Sequence, residues 1–257
     1  MSLKQVYASP LCTQRKLPDE YIEVYDKMLA TIAETRGVSP STLAAFLPRC
    51  GHKYNGNLMV IGRALNGWQE EPITLEILAN IDERQAVIRE ERLAAESLEV
   101  CPMNWLIESD GIQRPYNAKG SAFWRVAHTS ANHFSDVPQG DSASWPNYIC
   151  WSNLYKVAPA ERRNPTGKLK SVQESFSADL IRREIAEFAP SRILVLTGRE
   201  WFEPFAERLN LAMQWRIGLV EGICRLPGQQ WVIAQHPQGK SDSAVVAEAW
   251  KAFKGYL

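Results

Sequence analysis

Short runs of consecutive apolar residues, each followed by a glycine or a polar turn, are the strongest feature of the hydrophobic pattern. An apolar run without polar alternation is typical of a parallel strand that is buried on both faces. Ligands of open α/β sheets bind outside the carboxyl ends of such strands. We therefore predict that Asn66, Gly198 and His236 face one crevice. The runs cover residues 58–61 before Gly62, 193–196 before Thr197 and Gly198, and 231–234 before Gln235 and His236.

Apolar residues at helical spacing separate these strands and predict helices between them. A fourth strand is predicted at residues 148–151, and residues 214–226 form either a strand pair or an irregular return. The alternation favours an α/β fold with a mostly parallel sheet and helices on both faces. The predicted helices cover residues 18–36, a short segment after Ser39-Pro40, 72–100 with a break near Asn80, 121–133, 171–188 from a capping box of Ser171 and Glu174, 200–209 and 241–253.

The composition is that of an ordinary globular protein, with 257 residues, 45% hydrophobic residues and a formal net charge of zero. No apolar run approaches the roughly 18 residues that cross a bilayer, and no apolar segment follows the first lysine as in a secretory signal. We therefore expect a cytoplasmic protein without membrane contact. The five cysteines are scattered and form no C-x-x-C pair, which predicts reduced thiols, no metal site and no cofactor.

Several segments, taken in chain order, resemble motifs of the uracil-DNA glycosylase-like superfamily. The segment from Gly62 to Gly67 stands where the family has a glycine, two variable residues, a proline and a glycine. The segment from Trp151 to Pro159 is similar to the family's Thr-Asn-x-x-Lys-x-x-Pro segment. The dipeptide His236-Pro237 matches the start of the family's His-Pro-Ser-Pro motif. The segments are Gly62-Arg63-Ala64-Leu65-Asn66-Gly67, Gly120-Ser121-Ala122-Phe123, Trp151-Ser152-Asn153-Leu154-Tyr155-Lys156-Val157-Ala158-Pro159, Pro190-Ser191-Arg192-Ile193-Leu194-Val195-Leu196-Thr197-Gly198-Arg199 and His236-Pro237.

This resemblance implies a three-layer α/β/α sandwich around a mostly parallel four-stranded sheet. It implies a single domain over residues 1–257, with an N-terminal helical extension at about 1–50. It also implies DNA repair chemistry in a pocket that accepts a base flipped out of DNA. The expected partner is single- or double-stranded DNA or a nucleobase ligand, and we expect a monomer.

The resemblance also assigns roles to individual side chains. His236 is the catalytic group that stabilises negative charge on the departing base. Asn153 reads the edge of the base, because its amide offers both a donor and an acceptor. Phe123 stacks on the base, with Trp124 as the neighbouring alternative. Apart from the resemblance, we expect Lys156 and Lys240 to contact the nucleic-acid backbone, with a surface carboxylate as the alternative partner of Lys156.

The loop after the first strand is expected to serve the base or the attacking water. The backbone at Gly62 and Ala64 makes this contact. Active relatives place an acidic residue or an asparagine at the two variable positions to hold water, where this chain has Arg63 and Ala64. Asn66 is therefore the second catalytic candidate, with the glutamates at 70–71 as alternatives.

Each of these residue types also has an ordinary structural use. A histidine can satisfy a loop carbonyl, an asparagine can form a turn and a phenylalanine can belong to the core. Three hypotheses stay open, namely a DNA glycosylase-like hydrolase, a catalytically silent binder of a nucleobase or nucleic acid, and a different α/β enzyme with a small anionic ligand near Gly62 and Gly198. Several tryptophans could line an aromatic pocket, namely Trp68, Trp105, Trp124 and Trp151.

Overall fold

The computed structural model describes residues 16–66, 72–108, 112–113, 116–161 and 163–257. None of the described helices is long and apolar enough to cross a membrane. The helices are α1 (Asp19–Glu34), α2 (Leu75–Ala79), α3 (Ile81–Ala95), α4 (Trp105–Glu108), α5 (Ala122–Phe134), α6 (Gly167–Phe188), α7 (Arg199–Arg208) and α8 (Asp242–Lys254), with a 3-10 helix at Ser142–Tyr148. The strands are β1 (Thr42–Ala45), β2 (Arg49–Cys50), β3 (Leu58–Gly62), β4 (Ile73–Thr74), β5 (Ile112–Gln113), β6 (Tyr116–Asn117), β7 (Cys150–Asn153), β8 (Val157–Pro159), β9 (Arg192–Val195), β10 (Gln214–Trp215), β11 (Val220–Leu226) and β12 (Gln229–Ala234).

The central sheet has seven strands, in the order β10-β11-β12-β9-β3-β7-β2. The inner strands β12, β9, β3 and β7 run parallel to one another. At the edges, β2 pairs antiparallel with β7, and β11 pairs antiparallel with both β12 and β10. The predicted α/β class and the mostly parallel centre are confirmed. A sheet of only four strands is wrong, because antiparallel strands cover both outer parallel strands.

Each inner strand packs apolar side chains on both of its faces. In β3, Met59 and Ile61 belong to the core shared with α1, α6 and α7, whereas Leu58 and Val60 belong to the core shared with α5 and α8. All four side chains are fully buried. Successive side chains of a strand point to opposite faces, so a sheet covered by helices on both sides requires the unbroken apolar runs seen in the sequence.

The segment after α1 is extended rather than helical. It forms β1, which pairs antiparallel with β4 and β8 in a separate three-stranded sheet, and then β2 at the edge of the central sheet. The short helix predicted after Pro40 is therefore wrong. The last three residues of β1 are buried, and a short buried apolar run has no periodicity that separates helix from strand.

Two helix boundaries are predicted near possible capping residues, and the structure confirms one of the two. The break predicted near Asn80 is confirmed, because α2 ends and α3 begins there, and Asn80 Oδ1 accepts from the N–H groups of Asp82 and Glu83 at 3.0 and 3.2 Å. The capping box at Ser171 is wrong, because α6 already begins at Gly167. The Ser171 hydroxyl instead donates to the backbone oxygen of Lys168 within the helix, at 3.2 Å.

A buried ion pair joins the end of β7 to two helices. Lys156 Nζ lies 2.7 Å from Glu184 Oε1 of α6, and neither side chain is exposed. The same ammonium donates to Ser152 Oγ and to the backbone oxygen of Asn153, both at 2.7 Å. Glu184 also accepts from the hydroxyl of Tyr21 in α1 at 2.7 Å. Burial lowers the pKa of Lys156, and the charge of Glu184 opposes that shift.

The position of Lys156 corrects one sequence-based assignment. A side chain with 0% exposure cannot reach a phosphate at the protein surface. All three N–H bonds of its ammonium point to protein acceptors, namely Ser152, Asn153 and Glu184. Lys156 is therefore a structural residue and not a contact to the nucleic-acid backbone.

We expect Lys156→Met to lower the free energy of unfolding by about 3–5 kcal/mol, because it leaves the Glu184 carboxylate buried without its cation. Adding Glu184→Leu should recover most of that loss, since both charges are then gone. Urea unfolding followed by tryptophan fluorescence measures both effects. The exposed Lys251 of α8 provides the control, and Lys251→Met should change stability by less than about 0.5 kcal/mol. Equal effects at the two lysines would contradict this account.

Candidate functional site

A cavity of about 730 Å³ lies at the carboxyl ends of the inner strands. The strand β3 has β7 on one side and β9 on the other, so the connections diverge at this point, as they do at the ligand crevice of open α/β sheets. The volume falls within the range of about 300–1,000 Å³ that is typical of small-molecule sites. The described lining residues are Gly62, Arg63, Ala64, Leu65, Asn66, Trp105, Asn117, Gly120, Ser121, Ala122, Phe123, Trp124, Arg125, Trp151, Asn153, Arg163, Asn164, His236, Gln238 and Gly239.

The structure brings most of the predicted site residues to this one cavity. Lys240 is exposed and follows the lining residue Gly239, but it does not line the cavity itself. Lys156 lies in the interior, and Gly198 is not a lining residue. Trp68 and the glutamates at 70–71 lie outside the described residues. The predicted residues that line the cavity are Gly62, Ala64, Asn66, Phe123, Asn153 and His236, together with Trp105, Trp124 and Trp151.

Gly62 permits the close approach of two site residues. It ends β3 and pairs with Asn153 at the end of β7. A Cβ atom at position 62 would lie 2.5 Å from Asn153 Oδ1 and 3.2 Å from Cε2 of Phe123. Both distances are shorter than ordinary van der Waals contact. The glycine is therefore required so that the amide and the ring can meet over the end of the strand.

Asn153 presents an amide that the described protein does not satisfy. Its side chain is almost fully buried, at 2% exposure, and Nδ2 has no hydrogen-bond partner among the described residues. Its backbone oxygen is held by Lys156 Nζ, which fixes the residue at the cavity wall. A buried donor without a partner costs about 1–3 kcal/mol. Because Asn153 lines the cavity, this unpaired donor is a candidate contact for an acceptor on a ligand.

His236 is a neutral hydrogen-bond donor at physiological pH. Its Nδ1 accepts from the backbone N–H of Gln238 at 3.3 Å, so the proton of the neutral ring belongs to Nε2. Burial lowers the pKa of His236 to about 4, and the positive charges of Arg63 and Lys240 contribute to that shift. The ring is only partly exposed. An Nε2–H donor in such a site suits the stabilisation of a developing oxyanion.

The aromatic wall of the cavity distinguishes Phe123 from its neighbour. Trp124 is buried at 4% exposure and packs edge-on against Trp151 with ring centroids 4.7 Å apart. Phe123 is half-buried and packs edge-on against Trp124 at 4.9 Å. Trp105 completes the wall, 5.5 Å from the Trp124 centroid. Of the two stacking candidates, Phe123 is thus the one with ring surface left for a ligand.

Arg63 places a positive charge beside His236. Its Nε donates to the backbone oxygen of Thr197, after β9, at 3.0 Å. Its Cζ lies 5.0 Å from the ring centroid of Trp201 in α7, which is a cation–π distance. Burial lowers the pKa of Arg63, and the carboxylate of Glu200 opposes that shift. The guanidinium remains charged.

No carboxylate lines the described part of the cavity. Among the described residues there is also no group of three or more histidine, cysteine, aspartate or glutamate side chains that could hold a metal ion. Several polar lining residues have no role predicted from the sequence, since they lie in loops, in the two-residue strand β6 or on an exposed helix face whose position the local pattern does not determine. They include Asn117, Arg125, Arg163 and Asn164.

A comparison of the chain with models of known protein families finds no match. A comparison with curated proteins finds no match either. The resemblance in the ordered motifs and the geometry of the cavity are therefore the basis for an assignment of function.

We expect the His236 ring to titrate near pH 4 in the folded protein, measured from its NMR shifts. Arg63→Gln should raise this pKa, because it removes a nearby positive charge. Arg192 is the matched control, since it is half-buried, donates to a backbone oxygen and lies at the opposite end of β9. Arg192→Gln should leave the titration of His236 unchanged.

The lowered pKa of His236 also makes the free energy of unfolding depend on pH. The pKa of His236 is lower in the folded state, about 4 against an ordinary value of 6.5, so the unfolded chain binds more protons between these values. The contribution of the neutral ring to stability is therefore lost as the pH falls from about 6.5 to 4. An unshifted titration near 6.5 in the folded protein would contradict this assignment.

Proposed function

We propose that the protein is a DNA glycosylase-like hydrolase that cleaves the N-glycosidic bond of a damaged or deaminated base. The observation that carries the proposal is the buried Nδ2 of Asn153, which has no partner among the described residues and shares one cavity with Phe123 and a neutral His236. A planar ring with a carbonyl edge satisfies all three groups. The ordered motifs support the same class of ligand.

The aromatic wall of the cavity would bind the base. The ring stacks on Phe123, and Asn153 donates to a carbonyl at the edge of the base. Extrusion of a base from a duplex costs a few kcal/mol, which stacking and edge hydrogen bonds offset. The exposed cations Arg163 and Lys240, at and beside the cavity, provide contacts to backbone phosphates.

In the cleavage step the C–N bond would break, and both of its electrons would go to the base. The sugar becomes an oxocarbenium-like cation, and negative charge develops on the base oxygen. His236 donates a hydrogen bond from Nε2–H to that oxygen, which stabilises the departing base. Asn66, which is exposed at the cavity, holds the water that adds to the sugar. The proton of that water neutralises the base, so the products are the free base and an abasic sugar.

A second candidate is a catalytically silent protein that binds a nucleobase or nucleic acid. The observation in its favour is the lack of a carboxylate among the described lining residues, together with Arg63 and Ala64 at the positions where active relatives hold water. Such a protein would keep the stacking and edge contacts of Phe123 and Asn153. It would not increase the rate of bond cleavage.

An excision assay separates the two candidates. Labelled single- and double-stranded oligonucleotides carry uracil, hypoxanthine or xanthine, and alkali cleaves the abasic sites. We expect cleavage of at least one substrate, reduced about 100-fold or more by His236→Ala, since a lost oxyanion donor costs about that factor. Asn153→Ala and Gly62→Ala should both reduce it, the second because its methyl group displaces the amide. Lys251→Met is the control and should retain full activity.

The outcomes of this assay are distinct. Cleavage that His236→Ala and Asn153→Ala leave unchanged would exclude this cavity as the active site. No cleavage of any substrate, with oligonucleotide binding retained at low salt, would favour the silent binder. Neither cleavage nor binding would contradict both candidates.

A further inference from the structure

Arg63 has hydrogen-bonding capacity that the described protein does not use. Its Nε is occupied by the backbone oxygen of Thr197. Its two terminal nitrogens make no hydrogen bond or salt bridge with any residue in the described part of the chain. A guanidinium fork is the side chain best suited to bind two oxygens of an anion. Arg63 therefore presents an open anion-binding group at the cavity.

The surroundings of Arg63 add positive rather than negative charge. Trp201 carries two cations, with Arg63 Cζ at 5.0 Å and Lys170 Nζ at 4.4 Å from its ring centroid. The acidic neighbour that acts on Arg63 is Glu200, which is exposed to solvent and so is weakly coupled. His236, on which the charge of Arg63 acts, is neutral. An anion in the cavity would relieve the repulsion between these cations.

We propose that the cavity selects a nucleobase whose ring is itself anionic at neutral pH, and that Arg63 binds the charged oxygen of that ring. This inference rests on the proposed function and names the substrate class of the same site. The stacking and edge contacts of Phe123 and Asn153 recognise any planar oxo-base. Arg63 adds a charge that favours the more acidic, oxygen-rich bases among them.

The matched ligands are free xanthine and free hypoxanthine, which differ by one ring carbonyl. Xanthine loses a ring proton near neutral pH, whereas hypoxanthine does so only at a higher pH and is still neutral at pH 7.5. Isothermal titration calorimetry at pH 6 and pH 7.5 measures the affinity of both for the full chain. His236 is neutral at both pH values, because its pKa is about 4. Changes in the ratio of affinities therefore report the ionisation of the ligand.

We expect xanthine to bind about tenfold more tightly than hypoxanthine at pH 7.5, with a smaller ratio at pH 6. Arg63→Gln should reduce the ratio to about one. Arg63→Lys should keep part of it, since the charge remains and the fork is lost. Arg192→Gln, the matched control at the other end of β9, should leave it unchanged.

Three results would overturn the inference. The first is equal affinity for the two bases in the unsubstituted protein, and the second is an unchanged ratio in a folded Arg63→Gln variant. The third is Arg63-dependent binding of inorganic phosphate without a preference for xanthine, which would assign the anion to a phosphate instead of a base. Failure of both bases to bind would count against the proposed function, whereas equal binding would count only against the role of Arg63.

Discussion

The buried Lys156–Glu184 ion pair is the interaction on which the geometry of the cavity depends. Two opposite charges with 0% exposure persist in an apolar core only when each has full hydrogen-bond partners. Those partners come from the end of β7, from α1 and from α6. The ammonium therefore ties the backbone of Asn153 to the helical layer behind it, and this fixes a residue that lines the cavity.

The remaining features of the site follow from the carboxyl edge of the parallel strands. Gly62 and Asn153 are opposite each other on β3 and β7, so the absence of a side chain on one strand makes room for the amide of the other. His236 reaches the same edge from the end of β12. The site thus combines a rigidly held amide with an imidazole donor whose neutrality is maintained by burial and by nearby cations.

The sequence predicts the parts of the structure that local pattern determines. The inner strands follow from apolar runs such as residues 58–61. Of the three residues predicted from the strand ends to face one crevice, Asn66 and His236 line the cavity and Gly198 does not. The edge strand β2 and the short β1 were not predicted, because a few apolar residues have no decisive period. Lys156 was misassigned because a motif position gives residue type but not burial. The position of the Arg63 guanidinium depends on contacts with Thr197 and Trp201, which are distant in sequence.

The central claim is that Asn153 donates to the edge of a base in this cavity, and an NMR titration tests it most directly. The side-chain amide signal of Asn153 is identified by its loss in Asn153→Asp, and hypoxanthine is added to the ¹⁵N-labelled protein. The account predicts a saturable shift of this signal, which is absent when Gly62→Ala displaces the amide. A signal that does not move while the folded protein becomes saturated with the base would contradict the account.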